Sequence, residues 1–163
     1  MVNVVLRELK PGDLGWVIHR QAILYAEEYS LNCEFEALLA RICADFIKSY
    51  DPDREMVWIA EIDDVVVGSV FLMQGSDPTE ARLRLLYVEP NIRGAGAGST
   101  LVTASIERAR AIGYRRLILW TDSALSAARR LYARHGFVKV AEQAHTSFGQ
   151  DLIGETWSLD LGL

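Results

Sequence analysis

One short segment constrains this chain most, because an arginine and three closely spaced glycines follow an apolar, strand-like run. The run at 83–88 ends at Glu89-Pro90, and the segment Arg93-Gly94-Ala95-Gly96-Ala97-Gly98-Ser99 then leads into a helical pattern. The first N–H groups of a helix lack carbonyl partners, the helix dipole is positive there, and glycine has no Cβ to obstruct an anion. The segment therefore predicts an anion-binding loop, in which Arg93 adds a planar donor fork suited to phosphate.

Spacing separates three kinds of glycine-rich phosphate loop. A P-loop requires a lysine directly after its last glycine, and no lysine lies between Lys48 and Lys139. A dinucleotide-binding loop has its glycines as Gly-x-Gly-x-x-Gly with an acid about 20 residues later, whereas here the glycines alternate and the first acid is Glu107. What remains is Arg-x-x-Gly-x-Gly, formed by Arg93, Gly96 and Gly98.

A second motif lies further along the chain, where a strand-like run at 115–120 precedes a helical pattern. That pattern carries Tyr132 shortly before Gly136-Phe137. With both motifs in this order, nearly the whole chain resembles the GCN5-related N-acetyltransferases (the GNAT family). Residues 12–20 and 143–151 look like those of GNAT domains fused to MarR-type regulators.

The resemblance implies an α/β fold with a mixed sheet, in which about seven strands include a central splayed parallel pair and four helices pack on the sheet. One GNAT domain is expected over 1–163. The implied reaction transfers an acetyl group from acetyl-CoA, the expected co-substrate, to a primary amine of a small molecule or peptide through a tetrahedral intermediate. The implied cofactor-binding residues are Leu86, Tyr87, Val88, Arg93, Gly94, Ala95, Gly96, Ala97, Gly98 and Ser99.

The resemblance also implies the catalytic residues. Tyr132 is expected to donate a proton to the leaving thiolate, and a backbone N–H near Val88 to stabilise the oxyanion. Glu28 is the candidate for the general base, with His19, Glu80 and Asp122 left open. Leu125 stands where many relatives have an asparagine that contacts the cofactor.

Two functions from other classes stay open: a sensor that binds acyl-CoA without turnover, and an interaction module related to a transcriptional regulator. Charge bears on the choice, because residues 1–81 hold 15 Asp/Glu and 6 Lys/Arg whereas residues 82–163 hold 7 and 11. The basic half contains the loop and suits the phosphates of coenzyme A, and the acidic half could attract a cationic amine, although both halves could equally be ordinary solvated faces. The net charge of −5 argues against direct nucleic-acid binding.

Composition indicates the compartment and excludes several kinds of site. No apolar run reaches the length of about 18 residues that a membrane span needs, and the N-terminus lacks the features of a signal peptide. A cytoplasmic protein without membrane contact is expected, with a homodimer left open. Cys33 and Cys43 suggest reduced thiols, and no metal site is predicted.

Periodicity and turn signals predict the secondary structure. Asp13 is expected to cap the first helix and Gly113 to end the third. His145 and Ser147 are expected on one face of a connection at 143–151, without the acid that a hydrolase triad needs. Strands are predicted at 4–9, 56–62, 65–73, 83–88, 115–120, 137–142 and 156–161, and helices at 13–29, 34–50, 96–111 and 123–135.

Overall fold

A computed structural model describes residues 2–162 as one seven-stranded sheet with helices on both faces. The strand order is β1-β2-β3-β4-β5-β7-β6, and β4 and β5 form the parallel pair at its centre. The predicted fold class is therefore confirmed. The elements are β1 (Val5–Arg7), α1 (Asp13–Tyr29), α2 (Cys33–Lys48), β2 (Met56–Ile62), β3 (Val65–Gln74), β4 (Glu80–Val88), a 3₁₀ turn (Pro90–Ile92), α3 (Ala97–Ile112), β5 (Arg116–Asp122), α4 (Ser126–Arg134), β6 (Val138–Ser147) and β7 (Gln150–Asp160).

Each face of the sheet has its own apolar core, because alternate residues of a strand point to opposite faces. The apolar residues of α3, such as Leu101, pack with Leu117 and Leu119 of β5 on one face. On the other face α1 and α2 pack on β2 and β3, with Val17 and Phe46 against Phe71. The central strands β4 and β5 thus lie between two layers of helix.

One predicted helix cap and one predicted helix start are wrong. Gly12, in a left-handed conformation at φ 96°, is the N-cap of α1, whereas Asp13 is the first helical residue. The Asp13 carboxylate instead pairs with Arg7 at 2.8 Å and accepts the Lys10 amide at 2.6 Å, so it ties β1 to α1. Helix α4 begins at Ser126 rather than at 123, because β5 continues to Asp122.

The segment 143–151 was predicted as a connection, but it forms the end of a β-hairpin. β6 and β7 pair from Val138↔Ser158 to Ser147↔Gln150 around a turn at Phe148-Gly149. Both turn residues have positive φ, as a two-residue hairpin turn requires, and phenylalanine is an unusual residue there. His145 and Ser147 do share a strand face, with Nδ1 and Oγ 2.9 Å apart.

The hairpin reaches across the sheet to the connection between α1 and α2. The Asn32 amide donates to the Phe148 carbonyl at 3.0 Å, and the Phe148 ring meets the Phe35 ring edge-on at 5.3 Å. The Gln150 side chain donates to the Ser30 carbonyl at 3.3 Å. The tip of the hairpin therefore closes one side of the space between the helices and the sheet.

Candidate active site

The two central strands separate halfway along β4. Parallel pairing of β4 with β5 runs from Glu80↔Arg116 to Leu83↔Leu119 and goes no further. On its other edge, β4 stays paired with β3 through a β-bulge at Leu85, whose φ is +53° and whose carbonyl accepts the Ser69 hydroxyl at 3.1 Å. A bulge bends its strand. The bulge therefore turns β4 away from β5 and opens a gap between the two strands.

The backbone of β4 beyond the bulge keeps free hydrogen-bonding groups toward this gap. The Glu89 amide donates to the Val67 carbonyl at 2.8 Å, so it points toward β3. Successive residues of a strand direct their amides to opposite sides. The Val88 N–H therefore points into the gap, where β5 supplies no partner strand.

The glycine-rich segment follows β4 and ends at the start of α3. Gly96 is the N-cap of α3 at φ 90°, and the Thr100 amide donates to its carbonyl at 2.9 Å. The amides of residues 97–99 thus have no acceptor within the helix. A Cβ built on Gly96 would meet no protein atom within 4 Å, so the space before these amides is open to a ligand. This geometry fits a phosphate group.

Side-chain contacts hold both ends of this segment in place. Glu89 accepts hydrogen bonds from Arg20 Nε at 2.7 Å and from the Tyr87 hydroxyl at 2.9 Å, which join the end of β4 to α1. At the other end, Ser99 Oγ lies 2.9 Å from His135 Nε2, which joins α3 to the end of α4. The loop is therefore supported from three helices.

Arg93 and Glu28 lie side by side at the edge of the loop. Arg93 Nη1 is 3.6 Å from Glu28 Oε1, and both side chains are partly exposed. A solvent-exposed pair at this distance stabilises the fold little. The Arg93 guanidinium is therefore available to a second anion.

A cavity of about 380 Å³ lies where β4 and β5 separate, and it reaches residues from both faces of the sheet. Its wall is mostly apolar, with Leu38, Leu39 and Ile42 from α2 and Ala128 from α4. The β6–β7 hairpin closes it with Phe148 and Leu152, which lie beyond the predicted bounds of its two strands. Its polar lining residues are Gln21, Tyr25, Tyr29, Arg82, Arg84, Thr121, Asp122, Tyr132 and Thr156.

Tyr132 lies in the wall of this cavity and is 6% exposed. Its ring packs near those of Phe137 and Trp157, and no hydrogen bond of its hydroxyl is found within residues 2–162. Burial, together with the neighbouring Tyr25, raises the pKa of Tyr132 well above its ordinary value. The phenol is therefore protonated at neutral pH and free to donate a hydrogen bond.

A buried ion pair fixes the helix that carries Tyr132. Glu155 of β7 accepts hydrogen bonds from Arg129 Nε of α4 at 2.9 Å and from Trp157 Nε1 at 3.0 Å. Burial alone would raise the pKa of Glu155, but the Trp157 and Arg129 hydrogen bonds outweigh it, so the pKa lies below its ordinary value. Glu155 is consequently ionised at neutral pH and holds α4 against the sheet.

The cavity contains one carboxylate and two arginines. Asp122 Oδ1 accepts the Ala124 amide at 2.9 Å, while its Oδ2 is buried without a partner among the residues that the structure describes. Arg82 and Arg84, on one face of β4, have no salt bridge within the same residues. Burial also raises the pKa of the nearby Tyr25 to about 12.

The structure brings some of the predicted site residues together and separates others. Leu86 and Tyr132 line the cavity, whereas the Glu28 side chain lies beside Arg93 and is not among the lining residues. The Tyr87 side chain points to Trp16 of α1, with the rings 5.8 Å apart, and its backbone pairs with Ser69 of β3, so neither is directed into the gap. Of the other candidate bases, Glu80 pairs with Arg116 and His19 is exposed.

Across residues 2–162, no group of three or more His, Cys, Asp or Glu side chains has an arrangement that could hold a metal ion. Over the same range, the helices are too short or too polar to cross a bilayer.

Comparison with known proteins decides the family. Residues 21–137 match the model of the acetyltransferase (GNAT) family. The chain belongs to this family. It is 32% identical to rat N-acetyltransferase 8F1 over 126 residues, which are 75% of this chain and 55% of that protein. The chain thus spans about half the length of the curated relatives it matches.

Solved GNAT structures share the fold of the chain. A ribosomal-protein-alanine N-acetyltransferase from Brucella melitensis matches with a TM-score of 0.78 at 22% identity, covering 96% of this chain and 99% of that one. The yncA acetyltransferase from Salmonella typhimurium, solved with its cofactor acetyl-CoA, matches with a TM-score of 0.73 at 21% identity, over 97% of this chain and 94% of that one.

Proposed function

We propose that this protein transfers an acetyl group from acetyl-CoA to a primary amine of a small molecule or peptide. The observation that carries the proposal is the separation of β4 from β5, between an anion-binding loop at the end of β4 and a cavity with a buried tyrosine. Membership of the acetyltransferase family supports it.

The chain offers two kinds of contact to acetyl-CoA. Free backbone groups of Leu86 and Val88 can pair with the amides of the pantetheine arm, as an unpaired strand edge pairs with another strand, whereas the predicted Tyr87 has its backbone paired with Ser69 of β3. Residues 93–99 can hold the diphosphate through the free amides of α3 and the Arg93 guanidinium.

The proposed reaction forms one bond and breaks one. The neutral amine nitrogen attacks the acetyl carbon, the carbon–sulfur bond breaks, and coenzyme A leaves as the thiolate. The Val88 N–H would stabilise negative charge on the carbonyl oxygen. A raised pKa makes Tyr132 a weaker acid than a thiol of pKa about 8.5, so hydrogen-bond donation from its hydroxyl to the leaving sulfur is the contribution we expect.

The amine must lose a proton, and two carboxylates are candidates to accept it. Glu28 faces the loop and is paired with Arg93, which favours a role in holding that arginine. Asp122 lines the cavity with an unpaired oxygen, which suits contact with an ammonium group. We therefore keep Glu28 and Asp122, both among the bases left open in the sequence, as the two candidates.

The experiment is a test of transfer with the purified chain. Calorimetry measures acetyl-CoA binding, thiol release is followed with a panel of amines, and mass spectrometry identifies the acetylated product. Binding with amine-dependent thiol release supports the proposal. Absence of binding contradicts it, and binding without transfer to any amine favours the acyl-CoA sensor.

Other features of the chain remain hypotheses of ours. We propose that it acts in the cytoplasm without direct contact with nucleic acid or membranes, and that it can form a homodimer, which light scattering would detect. The closer likeness to GNAT domains of MarR-type regulators is likewise a hypothesis, which supports the interaction-module alternative if such a regulator domain precedes it in the gene.

A further inference from the structure

Arg82 and Arg84 form a cationic patch in the floor of the main cavity. They alternate with the buried Ala81 and Leu83, so both point to the face on which α1 and α2 lie. They also line a smaller adjoining cavity of about 270 Å³ near residues 73–76. Both arginines are therefore accessible from the space in which an acceptor would bind.

No acidic side chain of the described residues pairs with this patch. Five other arginines form salt bridges within residues 2–162, namely Arg7, Arg20, Arg93, Arg116 and Arg129. Arg84 is half-buried, and its burial together with the charge of Arg82 lowers its pKa. Arg82 is exposed, so the cost of an unpaired charge falls on the half-buried Arg84, whose missing anion a ligand could supply.

The patch is too far from the glycine loop to serve the diphosphate. Arg84 pairs with Phe71 of β3 and Val88 pairs with Gly68, three residues away, so at about 3.3 Å per residue Arg84 lies about 10 Å from Val88, where β4 ends before the loop. Its surroundings are instead the apolar cavity wall, in which a charged hydrogen bond is stronger than in water. A guanidinium fork binds a carboxylate in two parallel hydrogen bonds.

We propose that the acceptor is an amino acid, whose carboxylate binds to Arg82 and Arg84 while its amine faces the acetyl group. This proposal rests on the proposed acetyl transfer and names its substrate class. The apolar wall formed by Phe35, Leu38 and Ile42 suits an apolar side chain. Asp122, the one carboxylate among the lining residues, suits the ammonium end of the same molecule.

The test compares leucine, leucinamide and 3-methylbutylamine, which share a side chain and differ in the carboxylate. Binding is measured by calorimetry on the CoA-loaded protein, and kcat/KM is measured with acetyl-CoA and corrected for the fraction of free amine. We expect leucine to bind and react roughly 10- to 100-fold better than either analogue, because a charge-assisted hydrogen bond contributes a factor in this range.

Variants assign the effect to the patch. Arg84→Gln should remove the preference for leucine by raising its KM roughly 10- to 100-fold, with acetyl-CoA affinity unchanged. Arg110→Gln, an exposed position at the far end of α3, is the matched control and should keep the preference. Arg84→Gln should also leave the melting temperature of the free protein unchanged or higher, because it removes an unpaired charge, whereas a structural arginine would lower it.

Three outcomes would overturn the proposal. They are equal binding of leucine and leucinamide, an unchanged preference in Arg84→Gln, or a loss of acetyl-CoA affinity in that variant. If neutral amines are acetylated without a preference for the carboxylate, only the substrate class is wrong. If acetyl-CoA itself does not bind, the proposed acetyl transfer is wrong, and calorimetry with the amino acid still decides whether the patch binds carboxylates.

Discussion

The glycine loop and the cavity are the two halves of the candidate site, and they are built in opposite ways. The loop is a continuous segment, residues 93–99, whose binding groups are backbone amides at the start of one helix. The cavity takes its wall from three helices, α1, α2 and α4, from the strands β4 and β5, and from the β6–β7 hairpin. The loop depends on backbone conformation, whereas the cavity depends on which side chains the fold brings together.

This difference explains why the two halves are expected to respond differently to substitution. Most side chains in the loop can change if the left-handed turn at Gly96 is kept, because the amides stay in place. In the proposed function single side chains of the cavity carry the chemistry, so conservative substitutions there should change rate or specificity without loss of cofactor affinity. The following variants test this distinction.

Tyr132→Phe should have the largest effect, because it removes the hydroxyl that we propose donates a hydrogen bond to the leaving sulfur. We expect kcat to fall by about 10²- to 10⁴-fold with little change in the affinity for acetyl-CoA. Tyr114→Phe is the control, since it also loses a buried tyrosine hydroxyl, which donates to the Arg54 carbonyl at 2.8 Å outside the cavity. Steady-state kinetics and calorimetry check both variants, and a wild-type kcat in Tyr132→Phe would make that tyrosine structural.

Gly96→Ala should weaken acetyl-CoA binding by roughly 10- to 100-fold, the range expected for a lost phosphate hydrogen bond. The methyl group would enter the open space before the amides, and alanine is strained at φ 90°. Gly113→Ala is a matched control at the other end of α3, because Gly113 has φ 103° and equally open surroundings. Calorimetry should detect the loss in Gly96→Ala alone, and equal losses in both variants would indicate a general effect of strain.

Glu155→Gln should lower the free energy of unfolding at pH 7 by about 1–2 kcal/mol, because it weakens the hydrogen bonds to Arg129 and Trp157. A carboxylate whose pKa is lowered by folding stabilises the protein above its ordinary pKa of 4.5, and this contribution is lost as the pH falls through the folded value. The difference from wild type should therefore shrink below pH 4.5. Denaturant unfolding of both proteins across pH 3.5–7 measures this difference in the free energy of unfolding.

Glu142→Gln serves as the control for that experiment. Glu142 lies on the neighbouring strand β6 and pairs with Lys139, but its side chain is exposed, so its loss should leave stability unchanged. A difference for Glu155→Gln that persists unchanged at low pH would contradict the ionised state assigned to Glu155.

Arg93→Ala should have the smallest effect, weakening acetyl-CoA binding several-fold at low salt and less at high salt. Its side chain is partly exposed, and the Debye length falls from about 10 Å at 0.1 M salt to about 3 Å at 1 M. Arg110→Ala removes the same charge from the far end of α3 and should change affinity little. A salt-independent loss in Arg93→Ala would indicate that the arginine packs rather than binds phosphate.

Much of the local structure was predictable from the sequence, because it depends on nearby residues. The apolar pattern at 56–62 predicted β2 with its observed bounds, and Gly113 ends α3 as expected. The glycine spacing at 93–99 predicted a free helix N-terminus, and the structure has it there. These features follow from backbone conformations that glycine permits and from the periodicity of apolar residues.

Local patterns failed where a distant contact decided the conformation. The hairpin turn at Phe148-Gly149 has phenylalanine where asparagine, aspartate or glycine is usual, and its tip is held by Asn32 and Phe35 from another part of the chain. Aspartate is a common helix-capping residue, but the Asp13 carboxylate forms an ion pair with Arg7 of β1 instead. In both cases a tertiary hydrogen bond or ion pair outweighed the local preference.

The sequence by itself thus determined the fold class, the family motifs and the anion-binding loop, because each of these is carried by contiguous residues. Only the tertiary structure decided the cavity. The bulge at Leu85 separates β4 from β5, and this separation brings Arg84, Asp122 and Tyr132 to one space although they are far apart in the chain. The unpaired state of Arg84 and of the Asp122 oxygen depends on which partners the fold places within reach, and no local pattern contains that information.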